Sequence, residues 1–330
     1  MSQKIVLVTG GTGFTGRYML KRLCAQGYHV RAIKRASSNA SGLTELPIEW
    51  FEGDVYNAEL LEKAMLGVTQ VYHLAAAYRT TNLPDQELVD VHLTSTKVIA
   101  RLALQQPNFE RLVLVSTIGV LGHVEKPPVN EDAPYNPGDL YQSTKADAEK
   151  WLVQFSNQSK LPFTIVRPAA IYGPGDRRLL KFYQLAKLPL IPLIGFTRGL
   201  YHMIHVEDLV EFIWFTTTKK ETLSNIYICG NPKANTLQQM LSTIAEHYGK
   251  KPLFIRIPAT PLFLLARVVD AISKKINVEP IIYPRRVAFF TKDRSFDTSK
   301  MNSIEGFKYK YSEQEGLLQL ADWYKNERWL

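Results

Sequence analysis

Residues 5–16 read Ile5-Val6-Leu7-Val8-Thr9-Gly10-Gly11-Thr12-Gly13-Phe14-Thr15-Gly16. Four consecutive apolar residues suit a buried strand, and residues 15–26 carry a helical pattern closed by Gly27. Between them, Gly10, Gly13 and Gly16 fall at i, i+3 and i+6. Glycines at that spacing allow a tight turn, close backbone approach to a pyrophosphate and tight helix–sheet packing, with phosphates on the helix N-terminus. Glycine triplets also occur in ordinary turns. This one directly follows a strand and opens a helix, the context that points to a bound dinucleotide.

Outward from that stretch the same rhythm continues. Residues 30–33, 71–74, 112–115 and 163–166 read as short buried strands. Residues 58–66, capped by Asn57, then 87–105 and 141–156 read as helices. Such alternation implies right-handed crossovers and a parallel sheet, so the expected class is α/β, a Rossmann-type doubly wound sheet. After Pro168 the pattern changes. Residues 172–199 hold Pro174, Pro189, Pro192 and four glycines, and read as loop-rich. One more strand follows at 225–229, then helices near 237–247 and 312–325. The stretch 261–272, interrupted by Arg267 and Asp270, suits an amphipathic helix. The expected organisation is a cofactor domain over 1–175, to which 201–230 returns. A smaller C-terminal substrate lobe comprises 176–200 and 231–330, with a cleft between the two.

The composition bounds the function. With 330 residues, 45% hydrophobic and 22% charged, disordered and fibrous classes are excluded. The net charge is +9, but residues 1–150 carry 15 basic and 16 acidic side chains against 25 and 15 in 151–330. That second-half surplus would attract an anionic substrate or an anionic surface, and a solvated face explains it as well. No nucleic-acid partner and no metal site are expected. Cys24 and Cys229 are too few for a disulfide framework and fit a reducing compartment. The apolar run at the start stops short of a signal-peptide core, and no run reaches spanning length. A cytoplasmic protein without stable membrane insertion is expected.

The end of the second strand, Val30-Arg31-Ala32-Ile33-Lys34-Arg35, bears on which dinucleotide. An acidic residue there would hold a ribose 2′-hydroxyl, whereas a 2′-phosphate wants a cation. Lys34 and Arg35 therefore favour NADP(H), with NAD the alternative; without the glycine loop upstream they would read as a basic surface loop. Farther on, Tyr141 and Lys145 are four apart at a helix start, so both project from one face. A tyrosine titrates near 10, and a neighbouring ammonium is expected to bring it down towards a working range. Ser116-Thr117 ends the strand at 112–115, where a sheet presents groups to its ligand crevice. Taken singly, the pair would be a surface pair and Thr117 a strand-end cap.

Together these residues resemble the extended short-chain dehydrogenase/reductases, the family of nucleotide-sugar epimerases, dehydratases and 3β-hydroxysteroid dehydrogenases. The resemblance runs through Thr9 to Gly16, Gly53-Asp54-Val55, His73-Leu74-Ala75-Ala76, Val115-Ser116-Thr117, Tyr141 with Lys145, Arg167-Pro168, Tyr172-Gly173-Pro174 and His205-Val206-Glu207-Asp208. It implies Tyr141 as general acid/base, Lys145 also on the nicotinamide ribose, and Thr117 as the hydroxyl that polarises the substrate. The dinucleotide would lie on Gly10, Thr12, Gly13, Phe14 and Gly16, with Asp54 and Val55 flanking the adenine. Leu74, Ala75 and Ala76 would line its backbone, and Pro168 and Ile171 would meet the nicotinamide. His92 departs from the family, standing where many relatives have asparagine; a packed or hydrogen-bonded histidine is expected there.

Within the family, two departures narrow the reading. Sugar dehydratases place an acidic pair after the threonine, and here Ile118 and Gly119 stand there. Nucleotide-sugar enzymes commonly place an arginine three residues before Ile204-His205-Val206, and here that position is Tyr201. Arg177, Arg178 and Arg198 are the other candidates to reach a phosphate. The run Arg167-Pro168-Ala169-Ala170-Ile171-Tyr172-Gly173-Pro174-Gly175-Asp176 resembles the hydroxysteroid and dihydroflavonol reductase branch. Phe196, Leu200, Tyr201, Met203, Leu262, Phe263 and Leu264 would line a pocket or form the lobe's own core. The expectation is an NADP(H)-dependent oxidoreductase acting on a largely apolar secondary alcohol or ketone, steroid- or flavonoid-like. A nucleotide-sugar 4-epimerase or reductase is the alternative, and a non-catalytic redox sensor a third that the retained Tyr141 and Lys145 argue against. Relatives pair through two helices, here 87–105 and 141–156, so a homodimer is expected, with Trp151 at the interface or packed within its own domain.

Overall fold

Strand β1 (Ile5–Thr9) pairs with β2 (His29–Lys34) on one side and with β4 (Gln70–His73) on the other, both parallel. In the computed structural model, which describes residues 3–78, 84–195, 199–275 and 293–330, β3 (Ile48–Glu52), β5 (Arg111–Val115), β6 (Phe163–Pro168) and β11 (Asn225–Cys229) complete a seven-stranded sheet. Its order is β11-β6-β5-β4-β1-β2-β3, and every pairing is parallel. This is the Rossmann-like α/β architecture. The strand order reverses between β1 and β4, and that switch point opens a crevice at the carboxyl ends of both strands.

Alternation along the strands explains the layers. Val6, Val8, Val30, Ala32, Val113 and Val166 face one side, where α1 (Phe14–Ala25) and α7 (Val206–Thr216) cover them. Leu7, Ile33, Val71, Leu112, Leu114 and Ile165 face the other, against α2 (Ala58–Met65), α4 (Ser95–Leu104) and α5 (Leu140–Ser159). Both faces are dry, so these strands read as nearly continuous apolar runs. Each fully buried aliphatic contributes on the order of 1.5–3 kcal/mol. A third apolar cluster, with Tyr172, Tyr183, Ile191, Met240, Leu320 and Tyr324 in it, joins α6 (Leu180–Ala186), α8 (Leu237–His247) and the terminal helix Glu313–Asn326.

Two expectations are corrected. The helix expected over 87–105 is present from Asp85 to Leu104 but is not regular: α3 (Asp85–Val89) and α4 are joined without a break by a π-helical turn, Asp90–Thr94. Ser95 and Thr96 donate back to the carbonyls of Val91 and His92, each at 2.6 Å, and such back-bonding competes with regular helix. The loop-rich stretch 172–199 also contains regular structure. Besides α6 it holds β8 (Leu190–Ile194), which pairs in parallel with β13 (Leu253–Ile257). Three short strands, β7 (Ala170–Tyr172), β9 (Leu200–Tyr201) and β10 (Met203–His205), carry the chain between the layers, and β12 (Asn235–Thr236) pairs with β9.

Candidate active site

At the switch point Gly10 takes a φ of +70°, and a Cβ there would sit 2.7 Å from the Ala75 nitrogen. A Cβ on Gly16 would come within 2.1 Å of the Gly10 carbonyl oxygen. These two glycines therefore let the turn after β1, the start of α1 and the turn after β4 touch through bare backbone. Helix α1 begins after Gly13 with no side-chain cap and no acid in its first turn, so its first N–H groups face the crevice unspent. Phe14 reaches across towards Gly175, and the Tyr18 hydroxyl donates to the Pro174 carbonyl at 2.8 Å.

A polar scaffold fixes the turn after β4. The Ser95 hydroxyl donates to Val91, so it accepts from His73 Nε2–H at 2.9 Å. His73 Nδ1 then accepts from Thr9 Oγ1 at 2.6 Å, and Thr9 Oγ1 accepts from the Ala75 N–H at 3.2 Å. His92 is set the same way. Its Nε2 accepts from the Ala77 N–H at 3.1 Å, which leaves Nδ1–H to donate to Thr144 Oγ1 at 2.8 Å. Burial, with Lys145 nearby, holds both rings neutral, His73 at about 3 and His92 at about 2. His92 is thus the hydrogen-bonded histidine that the sequence suggests, and its ring also meets the Tyr141 ring edge-on at 5.2 Å.

Helix α5 begins at Asp139, whose carboxylate caps Gln142 N–H at 2.9 Å, and this cap sets Tyr141 and Lys145 in the first turns. Lys145 is buried; its Nζ donates to the carbonyls of Val115 at 3.1 Å and Ala75 at 3.3 Å. It therefore bridges the ends of β4 and β5. Burial brings its pKa down to about 8, with Glu149 acting the other way. Tyr141 is pushed up to about 12 by burial, with Tyr78 and Asp139 adding to the effect. This corrects the expectation of a depressed tyrosine: Lys145 spends its hydrogen bonds on two carbonyls, while the phenol sits against the rings of Tyr78 and His92. Thr117 Oγ1 accepts from the Gly119 N–H at 3.0 Å and caps the short 3₁₀ turn Ile118–Leu121. The buried Ser116 hydroxyl beside it has no hydrogen-bond partner among the described residues. In the sequence it reads only as half of a Ser-Thr pair.

The remaining expected residues fall as follows. Lys34 ends β2 and lies 3.6 Å from Glu52, while Arg35 lies 3.6 Å from Glu87 and is largely exposed. Asp54 and Val55 follow β3, and the Gly53 N–H donates to the Lys34 carbonyl at 2.9 Å, which brings that turn to the end of β2. Arg17 was not singled out by sequence. Its Nε donates to the Thr12 carbonyl at 3.0 Å and its other nitrogens to the carbonyls of Asn39 and Ser41, tying the glycine loop to the loop after β2. Pro168 ends β6 and Ile171 lies in β7. Arg178 is clasped by Asp176 at 2.8 Å and donates to the Ile171 carbonyl at 2.6 Å; it is the cation that acts on Tyr141. Arg177 lies over the Trp329 ring, 4.6 Å from its centroid. Arg198 and Phe196 lie outside the described residues. Of the apolar set, Met203 is buried in the lobe core and Leu264 faces solvent. A concavity of about 1080 Å³ lies within the lobe between α8, β8 and Glu313, apart from Tyr141. No cluster of metal-ligating side chains occurs among the described residues.

These features fit a dinucleotide. A side chain at Gly10 or Gly16 would close the turn against which a pyrophosphate backbone must lie, and the uncapped α1 N-terminus supplies anion-binding N–H groups. Comparison with known proteins agrees. A model of the NAD dependent epimerase/dehydratase family matches residues 6–230. The chain is 27% identical over 331 residues to a ceramide reductase of Caulobacter vibrioides, covering 99% of this chain and 96% of that protein. It is 28% identical over 294 residues to sterol demethylase protein B of Methylococcus capsulatus, covering 86% and 85%. The structure of a Thermus thermophilus UDP-glucose 4-epimerase in complex with NAD superposes with a TM-score of 0.72 at 23% identity, over 97% of this chain and 99% of that one; the likeness speaks for the fold.

Proposed function

The chain belongs to the NAD dependent epimerase/dehydratase family, as an oxidoreductase of the extended short-chain type, and on that premise we propose that it interconverts a largely apolar ketone and its secondary alcohol with NADP(H). The engagement of the arginines carries the substrate reading. A nucleotide sugar needs cations free to meet its diphosphate. Among the described residues, Arg178 is clasped by Asp176 and Arg177 lies on Trp329, and Tyr201 stands at the position where relatives offer an arginine; Arg198 lies outside the described residues. The Tyr141 ring is flanked by the rings of Tyr78 and His92. Relatives named for a ceramide and a sterol support the same direction.

In this reading Gly10, Thr12, Gly13, Phe14 and Gly16 hold the pyrophosphate, Asp54 and Val55 flank the adenine, and Leu74, Ala75 and Ala76 line the backbone of the cofactor. Lys145 meets the ribose next to the nicotinamide, which Pro168 and Ile171 face. The nicotinamide, when bound, supplies or accepts the hydride. Tyr141 delivers the proton to the carbonyl oxygen in reduction, and Thr117 orients that oxygen. The lobe of 176–200 and 231–330 binds the substrate, and two copies pair through the helices over 87–105 and 141–156. In this chain Trp151 stacks on Phe155 at 4.7 Å, so only part of its ring is left for a partner.

The test is consumption of NADPH and NADH with apolar ketones and with nucleotide sugars. Turnover of ketones with NADPH is the expected result; turnover of a nucleotide sugar alone would replace the substrate reading. Cofactor choice is tested separately. Lys34 makes a 3.6 Å ion pair with exposed Glu52 and lies 5.8 Å from the centroid of the Trp50 ring, and exposed Arg35 makes a 3.6 Å pair with Glu87; such long pairs contribute little and exchange readily. NADP(H) should bind more tightly than NAD(H), with the gap shrinking as salt rises. Changing both to Ala should narrow it further, each charge-assisted bond being worth up to ~3 kcal/mol. Equal affinities in the wild type would sink the NADP assignment.

A further inference from the structure

The two-stranded sheet of β8 and β13 has one face turned inward and one turned out. Ile191 and Leu193 are buried in the lobe core. The register pairs Leu253 with Leu190, Ile255 with Pro192 and Ile257 with Ile194, so the outward face is made of apolar residues throughout. Leu253 is more than half exposed, and Leu190 and Ile255 nearly so. From Ile257 the chain passes through Pro258 directly into α9 (Ala259–Lys275). On α9, Leu264, Leu265, Val268 and Ile272 recur along one helical stripe and each is more than half exposed, while Ala266 and Ser273 on another face are buried. Isolated exposed aliphatics need no explanation, but two successive elements that each present an apolar face do.

Charge identifies the occupant. Residues 250–275 carry six lysines and arginines against one acid, Asp270. The parallel pairing of β8 and β13 puts exposed Lys187, just before β8, at the same end as exposed Lys250 and Lys251, just before β13. A second copy on this face would press two sets of cations together, whereas an anionic bilayer offers both hydrocarbon and negative charge. No described helix is long and apolar enough to cross a membrane. We propose that the β8–β13 face and the α9 stripe rest on the surface of an anionic bilayer, aliphatic residues in the headgroup boundary and cations among the phosphates. This goes beyond the substrate reading and stands apart from it, because vesicle binding is measured without turnover.

The experiment is flotation of the full chain with phosphatidylcholine vesicles, with and without phosphatidylglycerol. Capture by the anionic vesicles should exceed capture by the neutral ones at least ~10-fold and fall as salt rises. Leu265→Ser with Val268→Ser, and separately Lys250→Glu with Lys251→Glu, should each lower capture at least ~10-fold. Circular dichroism and thermal melting should stay as in the wild type, since all four side chains are exposed. A folded wild type that anionic vesicles do not capture overturns the proposal. So does unchanged capture of both variants, or a dimer, seen by sedimentation, that Leu265→Ser with Val268→Ser disrupts while vesicles capture nothing.

Discussion

Tyr141→Phe should lower turnover by at least ~100-fold, the lower range for loss of a general acid/base, and leave dinucleotide affinity nearly unchanged. The ring's position does not depend on its hydroxyl, because the ring of His92 meets it edge-on and Tyr78 lies 5.2 Å away. Phenylalanine should therefore keep the pose, and the variant should melt as the wild type does. Lys145→Ala should instead damage both affinity and turnover, because Nζ joins the Ala75 and Val115 carbonyls where the cofactor backbone is proposed to lie. The direction of the titrations adds a second readout. With Tyr141 pushed up to about 12, its proton is in place throughout the neutral range, so reduction needs no prior protonation of this group. Oxidation needs that proton removed and should rise with pH across the same range. Near-normal reduction by Tyr141→Phe, or oxidation that falls from pH 7 to 9, would show that another group carries the proton.

How much of this was legible in sequence follows from which interactions are local. Residues 6–8, 71–73, 112–115 and 163–166 are buried on both faces of the sheet, so their apolar runs announce them. The cap on α2 is equally local: Asn57 Oδ1 accepts from the Leu60 N–H at 3.1 Å. Strand β3 is harder to see. It is an edge strand in which Glu49 and Glu52 alternate with half-buried Ile48, Trp50 and Phe51. β8 carries Pro192 at its centre, which reads as a breaker, yet it pairs along one edge only and proline is tolerated there. At the site, spacing alone places Tyr141 and Lys145 on one face. It does not show that the lysine turns to two carbonyls, one in the turn after β4 and one at the end of β5, because those partners lie 70 and 30 residues away. The same holds for His92. Its identity was visible as a departure, but the Ala77 and Thr144 partners that set its tautomer are tertiary contacts.

The second large effect concerns stability. Glu149 and Arg167 form an ion pair at 2.7 Å with both side chains essentially inaccessible to solvent. Three further interactions complete the site: the Tyr135 hydroxyl donates to Glu149 at 2.8 Å, Arg167 donates to the Glu131 carbonyl at 2.9 Å, and the guanidinium lies over the Tyr135 ring. Burial works against the arginine's charge, yet Glu149 holds its pKa above the ordinary value. Removing one partner leaves a buried charge uncompensated, so Glu149→Ala should cost about 3–5 kcal/mol, measured by urea denaturation. Glu149→Gln keeps the shape and much of the hydrogen bonding and should cost less. Both variants also remove the carboxylate that holds the Lys145 pKa up, so Lys145 should lose its proton below its present value of about 8. Lys145 is depressed from its unfolded value, so the unfolded chain binds the extra proton and wild-type stability should rise with pH between about 8 and the free-lysine range; in Glu149→Gln that rise should begin at lower pH. A loss under ~1 kcal/mol in Glu149→Ala would mean that water reaches Arg167 and that the pair is not the closed unit its burial indicates.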